Sequence, residues 1–316
     1  MKYFRSYPWG LQVFLFLMMA FVFISVAQLI VYLLLGPLTG VAYNTLVVYI
    51  SLSTPYNIVR AAIIMQAILS TFIYLLSAFV FASLSHPRPA FFLGFRAPGK
   101  PVQLLLVIFV VLGAMPLLNG LEDLISHIDF GARIKAEQKA NDDITGAFLR
   151  MPDFTAFIRG FIVLAIIPAV GEEMFFRGVL LRFVKQKSRG MVLPILFTAA
   201  VFALSHGNIY GYLSIFLAGV LLAVIYNLTG SLWCSIVAHI VNNGTQVILA
   251  YLANDNPALK NLMSANTVPW YLLISGAVVF SISFYLLLKN KTPLPPNWSD
   301  NFTPQELSQK DITFTS

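Results

Sequence analysis

A series of eight long apolar segments constrains the fold of this chain more than any other feature of its sequence. A helix needs about 20 apolar residues to cross the ~30 Å hydrocarbon core of a bilayer. Lipid offers the backbone no hydrogen bonds, so only helices and closed barrels can span it, and these segments are too long for barrel strands. The predicted spans are residues 11–35, 60–84, 102–118, 155–181, 192–208, 211–228, 231–251 and 268–288.

The composition supports this interpretation. Hydrophobic residues make up 58% of the 316 residues and charged residues only 10%, whereas soluble domains carry about 25% charged residues. The predicted fold class is therefore all-α, a polytopic integral membrane protein with about eight transmembrane helices. The single cysteine, Cys234, excludes an internal disulfide.

The first apolar segment has the small residues Ser25, Val26 and Ala27 of a signal-peptide cleavage site. Its apolar run continues to Leu35, however, and the apolar core of a typical signal peptide has only about 7–15 residues. We therefore expect the segment to remain as the first span.

Lysine and arginine residues mark alternate loops. They precede the first span, follow the eighth, and occur without acids between spans two and three and between spans four and five, whereas residues 36–59 carry no charge. The positive-inside rule then predicts both termini in the cytoplasm. Because the net charge of +7 lies beside apolar segments, it favours anionic lipid over nucleic acid as a partner.

The chain divides into four predicted regions. An outer loop from residue 119 to 153 carries the spacing of an amphipathic helix in Leu121, Leu124, Ile125 and Ile128. The tail is rich in proline and serine and is expected to be disordered and cytoplasmic. The regions are 1–150 with the N-terminal spans and this loop, 151–251 with the core, 252–291 with the last span, and 292–316 with the tail.

A few polar side chains lie deep in the spans, where such groups cost several kcal/mol unless paired and are functional candidates. They are Arg159, Glu172, Glu173, Arg177, His206, His239 and Asn243. Glu173 and Arg177 are four residues apart and can pair on one helix face, whereas Glu172 points about 100° away. His239 and Asn243 share another face, as do Phe202 and His206.

Depth brings three of these residues together. Glu172 lies seventeen residues before Arg189, near the turn between spans four and five, and His206 lies seventeen after it. In an antiparallel hairpin the two residues therefore meet. His239 is nine residues beyond Gly230, or ~14 Å into its span. We predict that Glu172, His206 and His239 share one layer partway in from the cytoplasmic face.

This layer has the groups needed to hydrolyse an amide with water. A desolvated carboxylate with a histidine beside it can activate the water, and a second histidine with an amide can donate hydrogen bonds to the oxyanion. Glu172, His206 and His239 are also ligand types of a catalytic zinc site, so the expected cofactor is either none or Zn. The chain has no HExxH, GxSxG or paired-aspartate motif.

Taken in order, Glu172-Glu173-xxx-Arg177, Phe202-xxx-His206 and His239-xxx-Asn243 resemble the motif series of the CPBP intramembrane proteases. These are the type II CAAX-processing endopeptidases and their Abi-like bacterial relatives. The resemblance covers roughly residues 155–250 and makes residues 151–251 the expected protease core.

The resemblance implies an eight-span helical core with a catalytic cavity open to the cytoplasm and to lipid. It implies that Glu172 and His206 activate the water and that His239 and Asn243 stabilise the oxyanion. Glu173, Arg177 and Phe202 would support them. The family is discussed both as glutamate-dependent and as a metalloendopeptidase, and the sequence leaves both open.

The expected function is an intramembrane endopeptidase that hydrolyses a peptide bond of a membrane-associated or C-terminal peptide substrate. One alternative is a non-catalytic membrane partner that regulates a sensor, an exporter or a bacteriocin-immunity pathway. Another is a transporter that uses the buried carboxylates as a proton relay. The expected partners are a peptide or protein substrate and the lipid bilayer, and the oligomeric state stays open. The expected location is a bacterial inner (plasma) membrane.

Overall fold

The computed structural model describes residues 3–46, 50–263 and 267–302, and within them the regular structure is helical, with no strand. Short helical turns lie at Phe4–Ser6, Tyr43–Leu46, Pro89–Leu93 and Pro257–Met263. The principal helices are α1 Trp9–Thr39, α2 Tyr56–Ser85, α3 Val102–Ser126, α4 Ala132–Phe148, α5 Phe154–Gln186, α6 Val192–Leu204, α7 Tyr212–Thr229, α8 Leu232–Leu252 and α9 Trp270–Lys289.

Six of these helices, α1, α2, α3, α5, α7 and α9, are long and apolar enough to cross a membrane. This confirms the predicted class, an all-α polytopic membrane protein. The other two predicted spans coincide with α6, an apolar helix of 13 residues, and with α8, which has 21 residues. α8 falls outside the six although it is long enough, because its sequence includes His239, Asn242, Asn243 and Gln246.

Two predicted boundaries are wrong. The amphipathic segment assigned to the outer loop is the last part of α3, which continues past its internal Pro116 to Ser126. The regular structure of the loop is instead the polar helix α4. α6 ends at Leu204, before the predicted 208, and Gly207 follows with φ +62°, a left-handed conformation that favours glycine and terminates helices.

The C-terminal segment also differs from its prediction. Residues 292–302 pack on the bundle, with Leu294, Trp298 and Ser299 buried. The Thr292 amide donates a hydrogen bond of 2.8 Å to the Leu228 carbonyl at the end of α7. The prediction of a disordered tail over 292–316 is therefore wrong for residues 292–302, and residues 303–316 lie outside the described part of the chain. Leu294 and Trp298 belong to no periodic apolar pattern, so the sequence does not reveal that they are buried.

α5 occupies the centre of the bundle, where it contacts α2, α6 and α8. It contains two π-helical segments, Phe161–Ile166 and Met174–Leu180, on either side of the two glutamates. π-helical turns recur at functional sites because they redirect side chains. Gly171 lets α2 approach at this level, since a Cβ there would come within 3.1 Å of the Leu75 nitrogen.

α3 and α9 pack against each other at the edge of the bundle through two glycines. A Cβ on Gly276 would come within 2.9 Å of the Gly113 carbonyl oxygen. Small residues of this kind allow two membrane helices to bring their backbones close, which strengthens van der Waals packing. α3 also contacts α7 and α8 and so joins α9 to the region around the glutamates.

Candidate active site

Glu173 and Arg177 form a fully buried ion pair, as their spacing predicts. Arg177 Nη1 lies 2.6 Å from Glu173 Oε1, and the two side chains are 1% and 0% exposed. Arg177 Nη2 donates to the Gly219 carbonyl of α7 at 2.8 Å, and the guanidinium lies 5.0 Å from the Phe202 ring centroid. The pair therefore joins α5, α6 and α7.

Glu173 has two further partners on α8. Ser235 Oγ donates to Glu173 Oε2 at 2.5 Å, and His239 Nδ1 lies 3.0 Å from Glu173 Oε1. Both oxygens of this carboxylate are therefore hydrogen-bonded. The sequence analysis missed Ser235, although its place four residues before His239 on one helix face could have indicated it.

Glu172 lies beside Glu173 in the chain but has a different environment. It is 8% exposed, and its Oε2 is buried without a hydrogen-bond partner. This oxygen lies 3.9 Å from His239 Nε2. The His239 ring therefore lies between the two acids, with Nδ1 toward Glu173 and Nε2 toward Glu172.

The contact with Glu173 determines the tautomer of His239. An ionised carboxylate only accepts hydrogen bonds, so Nδ1 carries the proton. Nε2 then offers a lone pair when the ring is neutral and a proton when the ring is an imidazolium. His239 can therefore accept from water in the first state and donate to an oxyanion in the second.

His206 lies beyond the end of α6 and is exposed. The prediction that it shares a helix face with Phe202 is therefore wrong, because His206 is not part of the helix. The two residues are nevertheless in contact, because His206 Nδ1 lies 2.8 Å from the Phe202 carbonyl. Their ring centroids are 4.7 Å apart, and the Phe202 and His239 centroids are 5.9 Å apart. Glu172 lies within electrostatic range of both imidazoles.

Asn243 lies one helical turn beyond His239 and faces α5. Its Nδ2 lies 3.4 Å from the Leu164 carbonyl, and its Oδ1 accepts a hydrogen bond of 3.1 Å from Asn242. Pro168 has no N–H, so the carbonyl four residues earlier, that of Leu164, lacks its α-helical donor. The Asn243 amide approaches this carbonyl.

Tyr74 is a second residue that the sequence analysis missed. It lies in the π-helical segment Thr71–Leu76 of α2, and its ring centroid is 5.5 Å from that of Phe175 and 6.0 Å from that of Phe176. Its hydroxyl faces Ser205 and lies within electrostatic range of Glu172. No local pattern marks this tyrosine, because the contact depends on how α2 packs against α5.

The donor set does not fit a preformed three-ligand metal site. Within the residues that the structure describes, no three side chains of His, Cys, Asp or Glu are grouped closely enough to hold a metal ion. Glu172 and His239 approach each other, whereas His206 lies beyond the helix end. The Zn ligands Glu172, His206 and His239 therefore stay a prediction that this arrangement does not favour.

A large cavity of about 910 Å³ lies beyond Asn243, between α3, α4, α8 and the start of α9. On α8 it is lined by Thr245, Gln246 and Leu249, and on α3 and α4 by acidic, basic and apolar side chains. Glu172, His206 and His239 do not line it. The cavity and the candidate catalytic groups therefore occupy successive levels of the bundle.

Comparison with known proteins assigns this region. Residues 154–245 match the family model of the type II CAAX prenyl endopeptidases, Rce1-like. This part of the chain is similar to the Rce1-like family. The matched residues run from the start of α5 into α8 and include Glu172, His206, His239 and Asn243. The match confirms the family prediction and supports a function of the CAAX-protease kind in a membrane.

No curated protein and no solved structure matches the chain. The similarity to the family therefore rests on residues 154–245, and the helices before and after them are described from this structure alone.

Proposed function

We propose that this protein is an intramembrane endopeptidase in which Glu172 activates a water molecule for attack on a peptide carbonyl. One observation carries the proposal: Glu172 Oε2 is buried without a hydrogen-bond partner and lies 3.9 Å from His239 Nε2. The family match supports the kind of reaction. The substrate is a peptide bond of a membrane-associated or C-terminal peptide.

The gap between these two atoms suits a bridging water. A water that makes hydrogen bonds of about 2.8 Å can contact two atoms separated by anything up to about 5.6 Å. The separation of 3.9 Å therefore allows one water to contact Glu172 Oε2 and His239 Nε2 together. The buried carboxylate then contacts the attacking oxygen directly and can act as its base.

The proton transfers follow from this placement. Glu172 takes one proton as the water oxygen bonds to the carbonyl carbon, and the carbonyl oxygen becomes the oxyanion. His239, which enters the reaction already protonated at Nε2, and the Asn243 amide donate hydrogen bonds to the oxyanion. When the carbon–nitrogen bond breaks, Glu172 returns the proton to the leaving amine. His206, whose Nδ1 is oriented by the Phe202 carbonyl, assists Glu172 through its Nε2.

Glu173, Arg177 and Phe202 have supporting roles in this proposal. Glu173 holds His239 Nδ1 at 3.0 Å, Arg177 holds Glu173, and the Phe202 ring packs against both imidazoles. These contacts fix the orientation of the His239 ring before a substrate binds. Pre-organised donors of this kind lower a reaction barrier because nothing has to reorient during the reaction.

We also propose that the protein has eight spans in a bacterial inner membrane, with both termini and the catalytic cavity facing the cytoplasm. The distribution of lysine and arginine between the spans supports this orientation. Cysteine labelling of single positions in intact cells tests it. A residue beside Arg189 should be protected from a membrane-impermeant reagent, and a residue in α4 should react.

The catalytic proposal is tested with purified protein in lipid nanodiscs and a peptide library. Glu172→Ala and His206→Ala should each abolish the cleavages that the wild-type protein makes. Glu137→Ala is the matched control, because this acid is on α4 with a side chain that is 52% exposed. Unchanged cleavage by either site variant would refute the assignment, and full biological activity in both would favour a non-catalytic partner.

A further inference from the structure

A second polar site lies near the C-terminal end of α5, where residues 292–302 cover the connection between α2 and α3. A cavity of about 190 Å³ opens there. Its lining includes Arg96, Arg182, Phe92, Trp298 and Asp300 and none of the candidate catalytic residues. Arg182 lies ten residues after Glu172 on α5, or about 15 Å along the helix. The two sites are therefore separate.

Within the residues that the structure describes, Arg182 is buried in this site without a salt bridge. It is 5% exposed, and its guanidinium lies 4.3 Å from the Phe92 ring centroid and 5.2 Å from that of Trp298. Its Nη2 donates to the Phe92 carbonyl at 2.8 Å, whereas its Nε is buried without a hydrogen-bond partner. The sequence analysis ended the fourth span at residue 181, which left this arginine in the basic loop that follows, whereas the structure buries it in α5.

Arg96 is a second arginine in this site that packs on an aromatic ring and has an unpaired Nε. It lies 4.2 Å from the Phe91 ring centroid, and its Nε is also buried without a hydrogen-bond partner. The two arginines lie within electrostatic range of each other, and Asp300 is within range of Arg182. In the described part of the chain, neither arginine forms an ion pair. Among the described side chains, the two arginines and the aspartate leave one uncompensated positive charge.

This arrangement is unfavourable until an anion binds. Desolvated cations are costly unless paired, and two neighbouring guanidiniums repel each other. Contacts with aromatic faces recover part of the cost. A guanidinium presents a planar fork of N–H groups that matches the oxygens of a phosphate, often with two parallel hydrogen bonds.

We propose that Arg96 and Arg182 form a binding site for a phosphate group, carried either by an anionic lipid headgroup or by a small soluble phosphate compound. A phosphodiester carries one negative charge and matches the uncompensated positive charge. The cavity of about 190 Å³ has the volume for it, since a water molecule takes up roughly 30 Å³. The basic residues around this end of the bundle attract anionic lipid and raise its local concentration.

The site also explains why residues 292–302 stay on the bundle. Trp298 covers Arg182 and lies 5.8 Å, ring centroid to ring centroid, from Tyr226 of α7. Gln186 Nε2 donates to the Ser299 carbonyl at 2.7 Å and so fastens the segment to the end of α5. A phosphate bound to the two arginines therefore also stabilises the packing of this segment on Arg182.

The experiment uses the full chain in nanodiscs and measures the melting temperature as the phosphatidylglycerol or phosphate content is raised. One arm contains phosphatidylcholine alone, a second adds phosphatidylglycerol, and a third adds inorganic phosphate to phosphatidylcholine nanodiscs. Arg96→Gln is the main variant, because this side chain is only half-buried and its loss is less of a threat to folding. Arg189→Gln removes an exposed charge from the same end and is the control.

Binding should weaken about tenfold or more in Arg96→Gln, since a hydrogen bond to a charged group is worth about one decade of affinity or more. Arg182→Lys keeps the charge but loses the fork and should also weaken binding, whereas Arg189→Gln should bind like the wild type. A response to phosphatidylglycerol alone identifies a headgroup, and one to inorganic phosphate alone identifies a soluble compound. No response in either arm, or equal losses in Arg96→Gln and Arg189→Gln, would overturn the proposal.

Discussion

The two sides of the His239 ring differ sharply although each presents a glutamate. On one side, both oxygens of Glu173 are hydrogen-bonded, to Arg177, Ser235 and His239. On the other side, the Oε2 of Glu172 is equally inaccessible and has no partner. A buried acid with all its partners stabilises the fold, whereas a buried acid without them costs free energy and is retained where a ligand completes it. The two adjacent glutamates therefore have different expected roles because their surroundings differ.

The largest expected effect is that of Glu172→Gln on catalysis. The amide has the shape of the carboxylate but cannot take a proton from water, so kcat should fall by about 10²–10⁴-fold. The free energy of unfolding should change little, because Glu172 has no ion pair closer than the 3.9 Å contact with His239. The measurement is peptide cleavage together with unfolding in the same nanodiscs. If Glu172→Gln cleaved peptides normally, or lost as much unfolding free energy as Glu173→Gln, the two acids would not differ in role as proposed.

Glu173→Gln should have the opposite profile and mainly reduce stability. It leaves Arg177 buried without its anion, and breaking a buried pair in this way costs about 3–5 kcal/mol. The measurement is the free energy of unfolding from reversible denaturation in mixed micelles.

The double variant Glu173→Gln with Arg177→Gln is the matched control. It removes both charges, so it should recover part of the stability that the single variant loses. A double variant less stable than Glu173→Gln alone would show that the ion pair is not the source of the loss.

Ser235→Ala should have the smallest effect and tests how much the hydrogen bond from Ser235 to Glu173 stabilises the fold. It removes a hydrogen bond to a charged carboxylate, worth about 1.5–3 kcal/mol. Ser214→Ala is the control, because Ser214 is buried but donates to the neutral Leu118 carbonyl at 2.9 Å, a bond worth about 0.5–1.5 kcal/mol. Equal losses of unfolding free energy in the two variants would argue against a special role for Ser235.

Local spacing explains what the sequence could predict in this site. The apolar runs predict the helices because burial in lipid acts on each segment separately. The Glu173–Arg177 pair follows from four-residue spacing on one helix. Ser235 and Glu173 are 62 residues apart, and Trp298 covers Arg182 from a distant segment, so these contacts depend on tertiary packing and have no local signal.

His206 shows the limit of a prediction made by counting the same number of residues along two helices from the turn between them. Its prediction assumed that α6 is continuous to residue 208, but the helix ends at Leu204 and His206 lies in the following turn. It nevertheless lies within electrostatic range of Glu172, because its ring contacts Phe202 and the Phe202 ring centroid is 5.2 Å from that of Phe176 on α5. The packing of His206 on Phe202 therefore places it near Glu172, as predicted, although the helix ends before it.

The segment that covers Arg182 also brings distant parts of the chain together. Arg5 Nη1 donates to the Asn301 carbonyl at 3.2 Å, although 296 positions separate the two residues in sequence. A short engineered linker between these positions would close the polypeptide into a ring, which could then be opened at the exposed residues 52 and 53. Circular permutation of this kind is tolerated where chain ends lie close together. Such a rearranged protein would offer new attachment points for reporters away from the face that Trp298 covers.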